Sequence, residues 1–295
     1  MRVTFDLTRD GLGAINVAAE ALTKAQEELA TGRALRRPSD DPLAAARAVG
    51  EHAELGAIDA YSHTVDAASA RQAAADSVMS DMIDKITSAT ATATGAQGTT
   101  ATQAVRDAAA DALQGLRDAL LGDVNFKFQG SALFSGSKVD QTSYVLVGST
   151  WTYQGDNTAV QASIDQGRQV DQTWDGQAIF QGGASANVLT VLDDLATAVR
   201  AGNNAAIGSG VTALQDAFSR ATSAQSRLGA DESSIADARS RLSDLRLATE
   251  TRRSKDEDAN LADAATRMNQ AQVAYRAALG AVSINNQVSL IDFLK

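Results

Sequence analysis

The chain has 295 residues, of which 44% are hydrophobic and only 4% aromatic, so small residues such as alanine supply much of the apolar fraction. Its formal net charge is -10 and it contains no cysteine, which excludes disulfides, thiolate nucleophiles and Cys-ligated metal sites. An acidic chain also lacks the clustered cations that nucleic acid or an anionic membrane surface requires. We therefore expect neither nucleic acid nor membrane as a partner.

The length predicts about two compact units, and the scarcity of proline predicts a mostly helical protein. Both prolines, Pro38 and Pro42, lie within one short turn. No run of about 18 apolar residues is present, so no membrane-spanning helix is expected. The first twenty residues carry charges and no continuous apolar core, so we expect no cleavable signal peptide. Taken alone, these rules predict a cytoplasmic protein.

The first predicted helix, over 12–29, has the spacing of a coiled-coil seam, in which apolar residues recur every three or four positions. These residues are Leu12, Ile15, Ala19, Leu22 and Leu29, with Gln26 as a polar member. Gly32 suits a left-handed C-cap, and the proline that follows soon after cannot continue a helix. We expect this helix to end near Gly32.

A rigid corner between two helices is predicted at Pro38-Ser39-Asp40-Asp41-Pro42. Asp41 precedes a proline, which favours the extended backbone of an N-cap residue. Pro42 suits the first position of the next helix, where its missing N–H has no intrahelical partner in any case.

Two helices are predicted to form an antiparallel hairpin after this corner. The first has the seam Ile58, Tyr61, Val65, Ala68, Gln72, Ala75, Met79, Met82 and Ile86. Residues 88–102 contain Ser, Thr, Ala and Gly without a periodic large apolar residue, which predicts an exposed tip. The second helix, over 102–121, repeats the pattern with Val105, Ala109, Ala112, Leu116 and Ala119.

The middle of the chain, 134–181, loses the helical period and predicts a small β-sheet. Short β-rich segments lie at 144–147, 151–153 and 159–164, separated by Gly148-Ser149 and Gly155-Asp156-Asn157. Such alternation of β-rich segments and turn residues is typical of short antiparallel strands.

Helical periodicity returns at 187–200 and continues after Gly202 in a helix of about five heptads. Its seam comprises Val211, Leu214, Phe218, Ala221, Leu228, Ile235 and Leu242, with Ala238 and Leu245 alongside. Residues 249–258 mix charges of both signs and interrupt the seam. A last helix restarts it in a new register with Leu261, Ala265, Met268, Gln272, Tyr275, Leu279 and Val282.

The predicted fold is mainly α: a long antiparallel helical bundle or coiled-coil rod, with the terminal helices paired at one end and a small β domain inserted at the other. Three parts are expected. Residues 1–41 with 256–295 form a terminal coiled coil, 42–130 with 184–255 a central helical bundle, and 131–183 a small β-rich outer domain. The terminal helices have too few large apolar residues to be stable alone, so they should be ordered by partners.

Candidate chemistry is sparse. His52 and His63 lie about 16 Å apart along one helix, too far to share a metal ion. The segment from Asp171 to Gly176 imitates part of a calcium loop, but Gly182 stands where a bidentate Glu is required. Arginines at 33, 36 and 37 could clamp a phosphate, but without a Gly-rich anion loop they more often cap a helix or pair with a neighbouring subunit. We expect no catalytic residue, cofactor or metal.

Several motifs together, in their order and spacing, resemble the flagellin superfamily and, within it, the hook-filament junction proteins, or hook-associated protein 3 family. The corner at 38–42 is one of them. The others are Leu29-Ala30-Thr31-Gly32-Arg33, Leu133-Phe134-Ser135-Gly136, Trp151-Thr152-Tyr153 before Gly155-Asp156, Asn187-Val188-Leu189 through Asp193-Asp194-Leu195, and Ser289-Leu290-Ile291-Asp292-Phe293-Leu294. Flagellin itself, the filament subunit, is the nearest alternative, but the two prolines of the corner and the Asp-Phe-Leu ending favour the junction proteins.

The resemblance implies a structural role in the bacterial flagellum as an adaptor between hook and filament. It implies that the terminal helices form an inner tube with neighbouring copies, and that the partners are a preceding hook-associated protein, flagellin and an export chaperone. It also implies secretion through the flagellar (type III) export channel without a cleaved signal peptide, which replaces the expected cytoplasmic location. The candidate assembly interface is Leu12, Ile15, Leu22, Leu29, Leu261, Met268, Tyr275, Leu279, Val282, Leu290, Phe293 and Leu294, with Pro38, Asp41 and Pro42 as the structural corner. An enzyme that uses carboxylates of the central part is a remote alternative, since no pair of motifs supports it.

Overall fold

The computed structural model describes residues 3–98, 101–184 and 186–293, with side chains over 11–98, 101–184 and 186–284. The chain divides into two compact units. The terminal unit consists of residues 1–58 and 244–295, and the central unit of residues 59–243. The predicted division into three parts remains a prediction.

The named secondary-structure elements of the terminal unit are all helices. It contains α1 (Val3–Thr31), the start of α2 (Pro42–Gly95), the end of α6 (Asn204–Glu257) and α7 (Leu261–Phe293). Helix α1 ends where Gly32 takes the left-handed conformation, with φ 68°. Its N–H donates to the Glu28 carbonyl at 2.9 Å, which satisfies a carbonyl of the last turn.

The central unit contains the rest of α2 and α6 together with α3 (Gln103–Val124), α4 (Gly176–Phe180) and α5 (Val188–Ala201). Helices α3 and α5 are antiparallel, joined by ion pairs of Arg117 with Asp193 (2.5 Å) and Arg200 with Asp111 (2.7 Å). Helices α2, α3, α5 and α6 contribute many of the large core side chains, among them Met79, Met82, Ile86, Leu113, Leu120, Leu192 and Leu214. The segments between α3 and α5 add Phe134, Tyr144 and Phe180. The mainly helical fold class predicted from the sequence is confirmed.

The seam predicted on α2 is buried apart from Tyr61, which is half-buried. Its one polar member, Gln72, is also buried, and its Nε2 donates to the Leu228 carbonyl at 2.8 Å. This bond to α6 offsets part of the cost of placing an amide in an apolar core.

The prediction of an exposed tip over 88–102 is wrong for its first half, because α2 continues to Gly95. Ala89, Ala93 and Ala96 are buried, so a face of small residues packs without any large apolar side chain. The threonines between them donate their hydroxyls to carbonyls four residues earlier, as Thr90 does to Ile86 at 2.8 Å, and so remain compatible with the helix.

The predicted seam of α3 is only partly correct: Ala109 and Leu116 are half-buried against the core, but Val105, Ala112 and Ala119 are exposed. The buried side chains are Ala110, Leu113, Leu120 and Val124, while Val105 is exposed. Because residues 108–110 are all alanine, the sequence does not show which of them faces the core. In the structure, the ion pairs of Arg117 and Arg200 lie on the side of α3 that packs on α5.

The β-rich segment between α3 and α5 consists of three separate antiparallel hairpins, where the sequence predicted one small sheet. They are β1 (Lys127–Phe128) with β2 (Ser131–Ala132), β3 (Tyr144–Val147) with β4 (Thr150–Tyr153), and β5 (Gln161–Asp165) with β6 (Arg168–Asp171). Each closes with a two-residue turn that contains a glycine of positive φ, at Gly130, Gly148 and Gly167. Short strands joined by tight turns pair locally, and here aromatic side chains link the segments to α4: the Phe180 ring lies 5.8 Å from Phe134 and 6.1 Å from Tyr144.

Candidate assembly interface

Helices α1 and α7 of the terminal unit pack against each other in opposite directions. Near the start of α1, a Cβ added to Gly11 would lie 2.8 Å from Val282 Cγ2, so only glycine allows the helices to approach this closely. Near the end of α1, Glu28 accepts a hydrogen bond from Arg267 at 2.8 Å. Residues early in α1 therefore face residues late in α7.

The predicted interface residues fall into three groups. Half-buried side chains belong to Ile15, Leu22, Leu29, Met268, Tyr275 and Val282. Exposed side chains belong to Leu12, Leu261 and Leu279. The side chains of Leu290 and Phe293, and all of Leu294, lie outside the described residues. Their role in contacts with neighbouring copies remains a prediction.

The most buried side chains of α1 were missed by the sequence analysis. They belong to Ala25 and Glu28, which are 5% and 7% exposed, and Ala264 of α7 is fully buried. Small residues let the two helices approach closely, and the Arg267 guanidinium compensates the buried Glu28 carboxylate. The sequence signal for this pair was a basic residue, Arg267, on the last helix. Only the antiparallel register of α1 and α7 brings it to Glu28.

The corner between α1 and α2 is fixed by an N-cap. Asp41 Oδ1 accepts hydrogen bonds from the backbone N–H groups of Leu43 and Ala44, both at 3.0 Å. Pro42 is the first residue of α2. Before it, Asp40 Oδ2 accepts from the Arg37 N–H at 2.9 Å, and this hydrogen bond lowers the pKa of Asp40 below its ordinary value. The segment around Pro38 is therefore held by its own backbone contacts.

The end of α6 is joined to this corner by backbone and side-chain contacts. The Glu257 carbonyl accepts from the N–H groups of Ala34 (2.8 Å) and Leu35 (3.2 Å). Arg47 of α2 binds Asp256 through two hydrogen bonds of 2.8 Å, and the same contact holds the pKa of the Asp256 carboxyl below its ordinary value. A bidentate guanidinium–carboxylate pair fixes orientation as well as distance.

The remaining candidates have structural contacts. His52 Nε2 lies 2.7 Å from Glu257 Oε1. In the incomplete calcium-like segment, Asp175 caps α4 and Thr173 accepts from the Val160 N–H. Within the described residues there is no group of three or more His, Asp or Glu side chains placed to hold a metal ion. The described helices also include none that is long and apolar enough to cross a membrane.

Two family models match the chain at its two ends. The model of the bacterial flagellin N-terminal helical region matches residues 12–139, and that of the flagellin C-terminal helical region matches residues 211–294. The chain belongs to the flagellin family. The matched regions contain most of α1, the corner and all of α7, which are the parts in which the candidate interface residues lie.

Relatives of this flagellin-family chain include Flagellar hook-associated protein 3 of Salmonella typhimurium, which is 28% identical over 169 residues, 57% of this chain and 52% of the relative. The match thus spans about half the length of that relative. Among solved structures, Xanthomonas campestris FlgL superposes with a TM-score of 0.62 at 16% identity, over 68% of this chain and 98% of that chain. The flagellar junction protein FlgL of Legionella pneumophila gives 0.62 at 13% identity, over 72% and 100%. These similarities establish a common fold.

Proposed function

We propose that the chain is a structural subunit of the bacterial flagellum that acts as an adaptor at the hook-filament junction. The observation that carries the proposal is the combination of flagellin-family ends with a paired α1 and α7 that expose large apolar side chains. Those exposed within the described residues include Leu12, Val17, Leu261, Val273, Leu279 and Ile284. Exposed apolar side chains on both helices are available to contact neighbouring copies.

In this proposal the terminal helices polymerise with neighbouring copies. The half-buried seam residues hold α1 and α7 together within one copy, and the exposed ones contact other copies. The partners are a preceding hook-associated protein on one side, flagellin on the other and an export chaperone before assembly. The location is the extracellular flagellum, reached by export without a cleaved signal peptide. The role is mechanical and not enzymatic.

Flagellin, the filament subunit, is the second candidate, because both matching family models describe flagellin. The junction role is favoured by the corner with its two prolines and by relatives that carry the names hook-associated protein 3 and flagellar junction protein. The two candidates differ in copy number and position along the flagellum.

Deletion of the gene tests both. A junction adaptor predicts intact hooks without filaments, with filament subunits released into the medium, and immunogold labelling of the parent flagellum only at the junction. A filament subunit predicts labelling along the whole filament. Filaments of normal length in the deletion strain would contradict both assignments.

A further inference from the structure

An uncharged groove lies on the central unit between α2 and α6. It has a volume of about 500 Å³ and is lined by Thr87, Thr90, Ala91, Thr94, Gly95, Gln215 and Phe218. The α2 wall comes from a sequence without any charged residue, 86–105, and in α6 the charged Asp216 lies between Gln215 and Phe218 but is not among the residues that line the groove. In a chain in which 21% of residues are charged, this makes the groove a surface from which like-charged copies do not repel each other.

The threonines of the groove do not make it polar. Thr87, Thr90 and Thr94 donate their hydroxyls to the carbonyls of Ile83, Ile86 and Thr90, at 2.9, 2.8 and 2.7 Å. Their donors are thus used within α2, while Ala91 and Phe218 add apolar surface. Phe218 remains 40% exposed. The groove therefore suits aliphatic side chains and offers little to an ionic or strongly polar ligand.

The central unit also has an exposed apolar hairpin tip, which we call the projection, and it is uncharged like the groove. Leu146 and Val147, at the tip of the β3–β4 hairpin, are 54% and 57% exposed. No charged residue occurs over 141–155. Since both side chains are exposed in the single copy, they do not fill the groove of their own chain.

The projection is rigidly held. Its turn consists of Gly148 and Ser149, and Gly148 takes φ 66°, a conformation that glycine at the first central position of a tight turn adopts without strain. At the base of the hairpin, Trp151 Nε1 donates to Asp193 Oδ2 at 2.9 Å, and Asn187 Nδ2 donates to the Trp151 carbonyl at 2.8 Å. A surface already fixed before binding loses little conformational entropy when it docks.

We propose that the Leu146–Val147 projection of one copy inserts into the α2–α6 groove of a second copy in the assembled flagellum. The sizes agree: a buried cavity of about 150 Å³ already holds a small apolar molecule such as benzene, so about 500 Å³ accommodates two aliphatic side chains. Projection and groove are different surfaces, so a contact that is not reciprocated between the same two copies is heterologous and generates a ring or a helical layer. This inference rests on the proposed function and adds a contact in the central unit to those of the terminal helices.

The absence of cysteine makes the contact testable by disulfide formation, because the parent chain has no thiol that could form a disulfide of its own. Val147→Cys and Ala91→Cys are expressed separately and together, flagella are sheared from the cells, and a mild oxidant is added. The contact predicts a disulfide-linked dimer of this chain only when both variants are present. Leu146→Cys and Thr94→Cys form a second pair in case one of the first variants does not assemble, and Val105→Cys with Ala91→Cys is the control that should give no dimer.

The inference would be overturned by a dimer of Val147→Cys with itself, or by no dimer for either pair in flagella that contain the variants. Undiminished maleimide labelling of Ala91→Cys in assembled flagella, relative to the purified chain, would overturn it as well. Loss of that labelling without the disulfide would mean that another occupant covers the groove, and would also overturn it. Failure of the proposed function is distinguishable, since the parent chain would then label the whole filament or be absent from sheared flagella altogether.

Discussion

The central unit is built around large apolar side chains, whereas the terminal unit is built around alanines and paired charges. Phe134, Met82 and Leu113 are fully buried in the central unit. Among the described side chains of the terminal unit, the buried ones are Ala25, Ala44, Ala48, Leu55, Ile58, Ala264, Glu28, Glu51 and Thr249. Burial of large apolar side chains contributes most to folding stability, so the central unit is stable by itself to a degree that the terminal unit is not.

Many large apolar side chains of the terminal unit lie on its surface instead. They are Leu12, Val17, Leu43, Val49, Leu245, Leu247, Leu261, Val273, Leu279 and Ile284. Under the proposed function the two units have different tasks: the central unit holds the fold, and the exposed apolar surface of the terminal unit contacts neighbouring copies. Stability that depends on neighbours changes with assembly.

Leu279→Asp should have the largest effect, on assembly and not on the single copy. The side chain is 43% exposed on α7, so a carboxylate there remains hydrated in the monomer, but it would be buried without a partner at an interface between copies. We expect a soluble, helical, exported protein that does not assemble, measured by circular dichroism melting, secretion blots and motility. Val105→Asp, an exposed position of the central unit, is the control. Normal swimming of the Leu279→Asp strain would show that this face is no assembly interface.

Phe134→Ala should destabilise the central unit by about 3–5 kcal/mol, because removal of a buried aromatic side chain leaves a cavity. Its ring contacts both Trp174 and Phe180. Urea unfolding of the purified chain measures the change, with the exposed Phe126→Ala as the control that should change little. Equal losses for the two variants would mean that the aromatic cluster is not central to this unit.

Arg267→Ala should loosen α1 from α7 at a cost of about 1–3 kcal/mol, because it leaves the Glu28 carboxylate buried and unpaired. The loss should appear as lower helicity of the terminal unit, while the main unfolding transition of the central unit stays in place. Arg276→Ala, on the same helix, is the matched control. Adding Glu28→Gln to Arg267→Ala should recover part of the loss, and a further loss in the double variant would contradict a role for the buried charge.

Asp256→Asn should have the smallest effect, a loss of stability that is present at neutral pH and disappears in acid. Since Arg47 lowers the pKa of Asp256 in the folded chain, the pair stabilises the terminal unit above the ordinary Asp pKa of 3.8. That contribution is lost as the pH falls through the lowered folded pKa. Melting curves from pH 7 to 3 should therefore decline less in Asp256→Asn than in the parent chain. Asp244→Asn, on the same helix, is the control and should show the same pH dependence of melting as the parent. An identical pH dependence for Asp256→Asn and the parent would show that this pair does not contribute to stability.

Much of the fold was predictable because its signals are local. The seam of α2 from Ile58 to Ile86, the helix end at Gly32 and the cap at Asp41 each depend on residues within a few turns. Where alanine and threonine replace large apolar residues, as in 88–95, the sequence does not show which side of a helix would be buried, or that a helix is present. The helix continues there because Ala89 and Ala93 pack in the core, a property that depends on the neighbouring helices.

The candidate site was only partly predictable for the same reason. The spacing of Leu22, Met268 and Tyr275 indicated amphipathic terminal helices, but it did not say which residues the two helices bury against each other. The positions of Ala25 and Glu28 depend on the antiparallel register of α1 and α7, which brings together residues more than 200 positions apart. The hydrogen bond of Trp151 to Asp193 likewise joins a strand to a helix, and no local sequence signal predicts that these two elements meet.

Hydrogen exchange followed by mass spectrometry, on the dilute purified chain and on assembled flagella, tests the central claim most directly. The account predicts fast exchange of α1 and α7 amides over 11–31 and 261–284 in the dilute chain, and strong protection of the same amides after assembly. Amides over 110–124 and 188–199 of the central unit should be protected in both states. Equal protection of the terminal and central helices in the dilute chain would contradict the account, because it would mean that the terminal unit needs no neighbours to be stable.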